Sequence, residues 1–593
     1  MRRAALAWAV YLFEVLGLAA CVPPAAAPSA AQPPASEAAP AEQMEAPAGL
    51  LTDAQAAQIL ADLGGRDREA GGRALAAVLE ARDPRFIAVL IEVMRANEIG
   101  LALGIDYSST VTALEVLSGQ DLGANWPAWV EWYGGTDLVP PPGFTGWKGQ
   151  LLSFIDPRFA EFLTEEAPSR IRVEEILWGG VTVDGIPALD QAEMIPAAEA
   201  SYLLPAEPVF GIAINGDARA YPLRILDWHE MANDVVGGVP MSLAYCTLCG
   251  AGIAYDGRAS DGQTYTFGSS GFLFRSNKLM YDRQTGTLWN QLTGEPVLGE
   301  LAATDVRLSL LPVVLTSWSA WRAQHPETQV LSLETGFERY YLPGAAYGNY
   351  FASEATMFPV WQRGEQLEPK DRIYALRVDG IPKAYPLGRL VEEEVVNDSI
   401  GTTNLVLVAT RGRVTVNGES LQAGPVTYDS GGEVRAFLRG DELFSPGPSP
   451  DVVLDSQGRE WQVTEEGLLS PEGTLAPRLS GHLAYWFGWF AFFPHTLIYG
   501  DPGEPRPNFT GGLNDEPERA VDPLRQPWAG DRAACGLVPA LATFHQSSGR
   551  GEPAFSVGGR DGRHGTGDGR AREDNGRADT RRRGRRDAYP GAR

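Results

Sequence analysis

Cys246 and Cys249 stand three residues apart in a Cys-Thr-Leu-Cys-Gly segment that ends at Gly250. Two thiolates at this spacing converge on one point, and a following glycine lets the backbone curl back. The loop they would close is too small to staple a fold, so the pair serves a metal or a reversible disulfide. A thioredoxin-type motif needs a helix directly after its first cysteine, whereas Gly250-Ala251-Gly252 leads into a second extended run. A closed zinc site takes four ligands. The chain has no second such pair, its other cysteines being Cys21 and Cys535. His229 upstream offers an imidazole and Met280 downstream a thioether. Soft donors of this kind suit copper first and zinc second, which makes Cys246, Cys249, His229 and Met280 the candidate metal ligands. Cys246, Cys249 and His229 are equally the candidate catalytic set for thiol–disulfide exchange, with His229 as proton shuttle. Arg275 and Lys278 read as a solvated strand face, and His325 and His495 as surface residues.

An internal comparison sharpens this choice. The stretch from Phe210 to Asp234 aligns without a gap on the stretch from Tyr374 to Asp398. Both keep Ala-Tyr-Pro-Leu (Ala220–Leu223, Ala384–Leu387) and Asn-Asp (Asn233-Asp234, Asn397-Asp398). Downstream, Asp282 and Trp289 match Asp455 and Trp461, and Trp318, Trp321 and Thr328 match Trp486, Trp489 and Thr496. This agreement predicts an internally duplicated domain. In the second copy Thr410 stands for Cys246, Arg413 for Cys249, Glu393 for His229 and Val453 for Met280. Residues kept in both copies, Glu230, Asp234 and Asp282 among them, are expected to hold the fold. Of the four confined to the first copy, His229, Cys246 and Cys249 are freer to serve a site.

These residues need elements to position them. Alternating apolar runs followed by Asn215-Gly216 and Asp379-Gly380 predict hairpins. Tyr-Pro-Leu opens a short helix in each copy, and the cysteine turn lies between two further strands. The fold expected is mainly β (α+β): an internally duplicated, pseudo-symmetric β-rich domain preceded by a small α-helical module. The β-rich domain is expected over residues 144–500, with repeat one at about 207–333 and repeat two at about 371–500. Helical spacing of Leu60, Leu63, Leu75, Val78 and Leu79 predicts the module at 49–135. Trp126, Trp129 and Trp132 at its end read as a packing seam.

Before the module, Arg2 and Arg3 precede an apolar run ending in Leu18-Ala19-Ala20-Cys21, which resembles a lipoprotein signal peptide (1–21) with Cys21 as the lipidated residue. The run is too short for a comfortable membrane span. An Ala/Pro-rich linker (22–48) would tether the body to a membrane surface, in an extracytoplasmic, lipid-anchored protein of the bacterial cell. Residues 501–593, rich in Gly and Arg, read as a disordered tail. Overall the 593 residues carry a net charge of −26, which argues against nucleic acid as a partner.

Asp227-Trp228-His229-Glu230 with Asn233-Asp234, the Tyr245-Cys-x2-Cys-Gly250 turn, Met280-Tyr281-Asp282-Arg283 and the paired tryptophans resemble the domain-of-unknown-function 3179 family over about residues 150–500. The resemblance implies an exported, often lipid-anchored context and assigns no reaction. The sequence therefore points to an extracytoplasmic protein whose Cys-x2-Cys/His site binds copper or zinc or acts in redox. The alternatives are a thiol–disulfide oxidoreductase using Cys246 and Cys249, and a non-catalytic scaffold.

Overall fold

The computed structural model describes residues 50–501. The stretches expected to be a signal peptide with Cys21 and a linker, and all but the first residue of the expected tail, Cys535 included, lie outside the described residues.

Residues 53–162 are helical. Polar caps start most of these helices: Thr52 and Gln55 form a reciprocal capping box ahead of Asp53–Gly64, and Asp67, Asp106 and Asn125 cap those that follow. The helical part runs past the expected limit at 135. Helix Phe144–Leu152 puts Phe144, Trp147 and Leu151 into the same core as Trp126 and Trp129. Leu177, Leu273 and Trp361 from the body complete that core, so the tryptophans do form a packing seam.

The rest of the chain is mainly β, in several sheets. Strands Pro208–Ile214 and Asp217–Pro222 pair through the Asn215-Gly216 turn. Helix Leu223–His229 follows, and Met231–Val236 then pairs with Val239–Cys246. The later half runs through the same order: Arg372–Val378 with Ile381–Pro386, helix Leu387–Glu393, then Val395–Ile400 with Thr403–Val408.

Side-chain bonds recur with the elements. Tyr221 and Tyr385 each donate to a carboxylate, Asp234 and Asp398, at 2.7 Å. The indole of Trp289 donates to Asp282 at 2.8 Å, and that of Trp461 to Asp455 at 2.9 Å. Trp321 and Trp489 donate to Thr328 and Thr496, both at 2.9 Å. Each of these pairs satisfies a buried polar group that would otherwise be costly.

The halves differ where the first carries its cysteines. After Cys246 the chain turns through Thr247–Gly250 and returns at once as Ala251–Asp256, with Cys246 opposite Ala251. After Val408 it instead builds the two-stranded ribbon Arg413–Ser420 and Gly424–Gly432 before returning as Arg435–Leu438.

Candidate functional site

The turn Thr247–Gly250 follows from one glycine. Gly250 has φ +61°, and a side chain there would strike Arg372 Nη1 at 2.8 Å and the Tyr485 ring. The turn therefore draws Cys249 beneath Cys246, and both are buried, at 0% and 1% exposure. The later half covers them. Tyr485 N–H donates to the Cys249 carbonyl at 2.7 Å. Helix Trp486–Phe490 lays Gly488 on Cys249 so closely that a Cβ would sit 3.1 Å from the sulfur. On another side the Tyr350 hydroxyl donates to the Leu248 carbonyl at 2.6 Å. Lys370 stacks its ammonium 3.7 Å above the Tyr350 ring. Burial and then the neighbouring Arg372 bring that ammonium down to about 7.

The second strand pair supplies polar contacts to the sulfurs. Between Phe267–Phe274 and Asn277–Asp282, Arg275 and Ser276 take φ of 49° and 62°, a conformation that favours glycine or asparagine. Two anchors hold it: Arg275 bonds Glu175 at 2.6 Å, and Ser276 donates to the Pro359 carbonyl. This turn aims the Ser276 carbonyl at Cys249 Sγ, 3.2 Å away, while Asn277 Nδ2 donates to that sulfur at 3.5 Å. Asn277 also donates to Gln291, whose amide bonds the carbonyls of Ala244 and Ala251 and so laces the cysteine hairpin.

The two thiols are unequal. Burial pushes Cys246 up, but the neighbouring Cys249 side chain and the backbone N–H groups of Lys278 and Cys249 outweigh that and hold it below its ordinary value. Burial raises Cys249 far above its own, and the neighbouring Cys246 sulfur raises it further. Under them lies a polar cluster. Glu230 accepts from the Thr247 hydroxyl at 3.0 Å and pairs with the Lys278 ammonium at 3.1 Å. Asp227 is buried with Oδ1 unpartnered. Burial, then the Glu230 charge, raises its carboxyl well above the usual range.

Not every residue singled out in the sequence joins the sulfurs. His229 is buried, with Nδ1 2.8 Å from the Pro187 carbonyl and Nε2 2.6 Å from the Tyr341 hydroxyl. Both ring nitrogens are thus engaged away from the thiols. Met280 is wholly buried opposite Trp289, in the core that also holds both cysteines. Among the described residues no group of three or more His, Cys, Asp or Glu side chains is arranged to hold a metal ion. The four-residue ligand set is therefore not assembled by this geometry. Lys278 is not on a solvated face either, being 3% exposed. Asp227 entered the sequence reading only within the family motif and not as a site residue, although a signal was there: its counterpart in the later half is Val391, so it too is confined to one half.

A family model described as protein of unknown function (DUF3179) matches residues 183–496, which take in both halves and the cysteine turn. No curated protein and no solved structure matches the chain.

Proposed function

The chain belongs to the DUF3179 family, which assigns no reaction, and we propose from its cysteine site that it is a thiol–disulfide redox protein cycling Cys246 and Cys249. The observation that carries this reading is the asymmetric pair: a buried Cys-x2-Cys turn in which the Cys249 thiol donates to the Ser276 carbonyl at 3.2 Å and is held well above its ordinary value, while Cys246 is held below its own. An attacking thiolate and a protonated resolving thiol are what exchange needs. In the forward step the Cys246 thiolate attacks a disulfide R–S–S–R′ and expels R–S⁻. Cys249 then attacks Cys246 in the mixed disulfide, expelling R′–S, which leaves with the Cys249 proton as R′–SH. Two electrons pass to the substrate, and the protein is left with the 246–249 disulfide. Because both sulfurs are buried, exchange waits on opening of the cover that includes Tyr350 and the Trp486–Phe490 helix. His229, held by Pro187 and Tyr341, has no part in these steps.

The wider setting belongs to the same proposal. The halves descend from a duplication, supported by the matched sequence runs and recurring tyrosine–aspartate, tryptophan–aspartate and tryptophan–threonine bonds. The Arg2-Arg3 start, the apolar run and Cys21 support export and a lipid anchor. Replacing Cys21 with serine is then expected to move the protein from the membrane pellet to the soluble fraction. Equal recovery in the pellet would overturn the anchor.

The redox reading is tested by equilibrating purified protein in graded thiol/disulfide buffers, alkylating free thiols and weighing the peptide that holds both cysteines. A reversible transition that lightens this peptide by two hydrogens is expected, lost in Cys246→Ser and Cys249→Ser. A pair that stays reduced at every ratio sinks the reading. So does copper or zinc retained in purified protein and released by Cys246→Ser, which would restore the soft-metal alternative with a donor other than His229.

A further inference from the structure

Glu230 and Glu394 occupy the same place in the two halves. Each ends a short helix in the left-handed conformation, with φ of 56° and 59°. Each backbone carbonyl accepts the N–H of a residue at the end of the following hairpin, Tyr245 at 2.8 Å and Ala409 at 2.7 Å. The backbone task is therefore common to both, and Glu394 performs it with an exposed side chain. Glu230 performs it with a side chain buried on Lys278 and Thr247. Taking a carboxylate and an ammonium out of water costs several kcal/mol per ion before their attraction is counted. The fold does not require that cost, since the later half does without it.

What differs between the two places is the sulfur. Thr247, which donates to Glu230, adjoins Cys246 in the chain, and Asn277, the chain neighbour of the lysine that meets Glu230, donates to the Cys249 sulfur at 3.5 Å. Resting on the dithiol reading above, we propose that the buried Glu230–Lys278 pair is a positioning device that sets the thiolate population and reduction potential of Cys246 and Cys249. The Glu230 charge opposes ionisation of both sulfurs. Neutralising it favours the thiolate, and stabilising the reduced form makes a dithiol couple more oxidising. Lys278 keeps that opposition partial.

The experiment compares wild type, Glu230→Gln, Glu230→Asp and Glu394→Gln in the full chain, by two readouts. The first is the pH midpoint for alkylation of Cys246 by a small reagent, which can be measured whether or not the disulfide forms. The second is the dithiol-to-disulfide ratio in a fixed thiol buffer. Glu230→Gln is expected to lower the midpoint and to shift the ratio about tenfold toward dithiol, equal to about 29.6 mV for a two-electron couple. Glu230→Asp, which keeps the charge, should stay near wild type, and Glu394→Gln should move neither readout. If Glu230→Gln does not fold, Thr247→Val replaces it: loss of the hydroxyl leaves the carboxylate less neutralised and should raise the midpoint. A wild-type midpoint kept within twofold in thiolate fraction by Glu230→Gln, or an equal shift from Glu394→Gln, overturns the proposal. Failure of wild type to form the disulfide overturns the dithiol reading instead, with the alkylation midpoints still deciding whether Glu230 governs the thiols.

Discussion

Trp289→Ala is expected to destabilise the protein by about 3–5 kcal/mol, the range for removing a fully buried aromatic side chain, and to expose Cys246 and Cys249 to alkylation. The indole is 0% exposed and meets the rings of Tyr265 and Phe267 at 5.6 and 5.4 Å. Its strand Leu288–Asn290 pairs with Asn277–Asp282, which brings Asn277 to the Cys249 sulfur and Lys278 to Glu230. Asp282 would lose the indole but keep N–H donors from Gln284 and Thr285, so the loss comes from the cavity more than from an abandoned carboxylate. Trp461→Ala is the matched control. It breaks the same kind of bond, to Asp455, in a core without cysteines. Urea midpoints should fall in both variants, while faster alkylation under native conditions should appear in Trp289→Ala alone. A Trp289→Ala loss below about 1 kcal/mol would show that the site does not depend on this core.

The comparison of these tryptophans also shows how far residue types alone could go. Hairpins at Asn215-Gly216 and Asp379-Gly380 were legible because their turns depend on local backbone preference, and the mainly β class followed from them. The boundary at 135 was missed because Phe144–Leu152 is apolar on the side that joins the helical core, a tertiary fact with no local mark. The cysteine turn was legible from spacing and glycine. His229 was not, since proximity in sequence says nothing about which carbonyl or hydroxyl claims a ring nitrogen. Lys278 looked solvated because a lysine in a strand usually is. Its burial becomes intelligible only when Glu230, far off in sequence, is seen to face it.

His229 and His482 make the second strong expectation, a loss of stability in mild acid. Burial lowers both imidazoles to about 4, with Arg339 adding to the effect on His229 and Arg377 on His482, against the partial help of the Pro187 and Leu483 carbonyls. Unfolded, each would titrate near its ordinary value of 6.5. The fold thus favours the neutral ring, so this contribution is complete above pH 6.5 and is lost as pH falls toward 4. At 1.36 kcal/mol per unit each histidine accounts for about 3 kcal/mol. Asp227 works in the opposite sense. Burial and the Glu230 charge raise its carboxyl above the usual range, so acidification relieves a cost that the fold carries and offsets part of the histidine loss. Wild type should therefore lose stability between pH 6.5 and 4, by less than the two histidines alone would cost. His482→Asn should flatten that slope, and Asp227→Asn should steepen it. Denaturant unfolding at several pH values measures all three. A wild-type stability that is flat or rises toward pH 4 would mean that the imidazoles are charged in the fold, and His229 would again be open to a role in proton transfer.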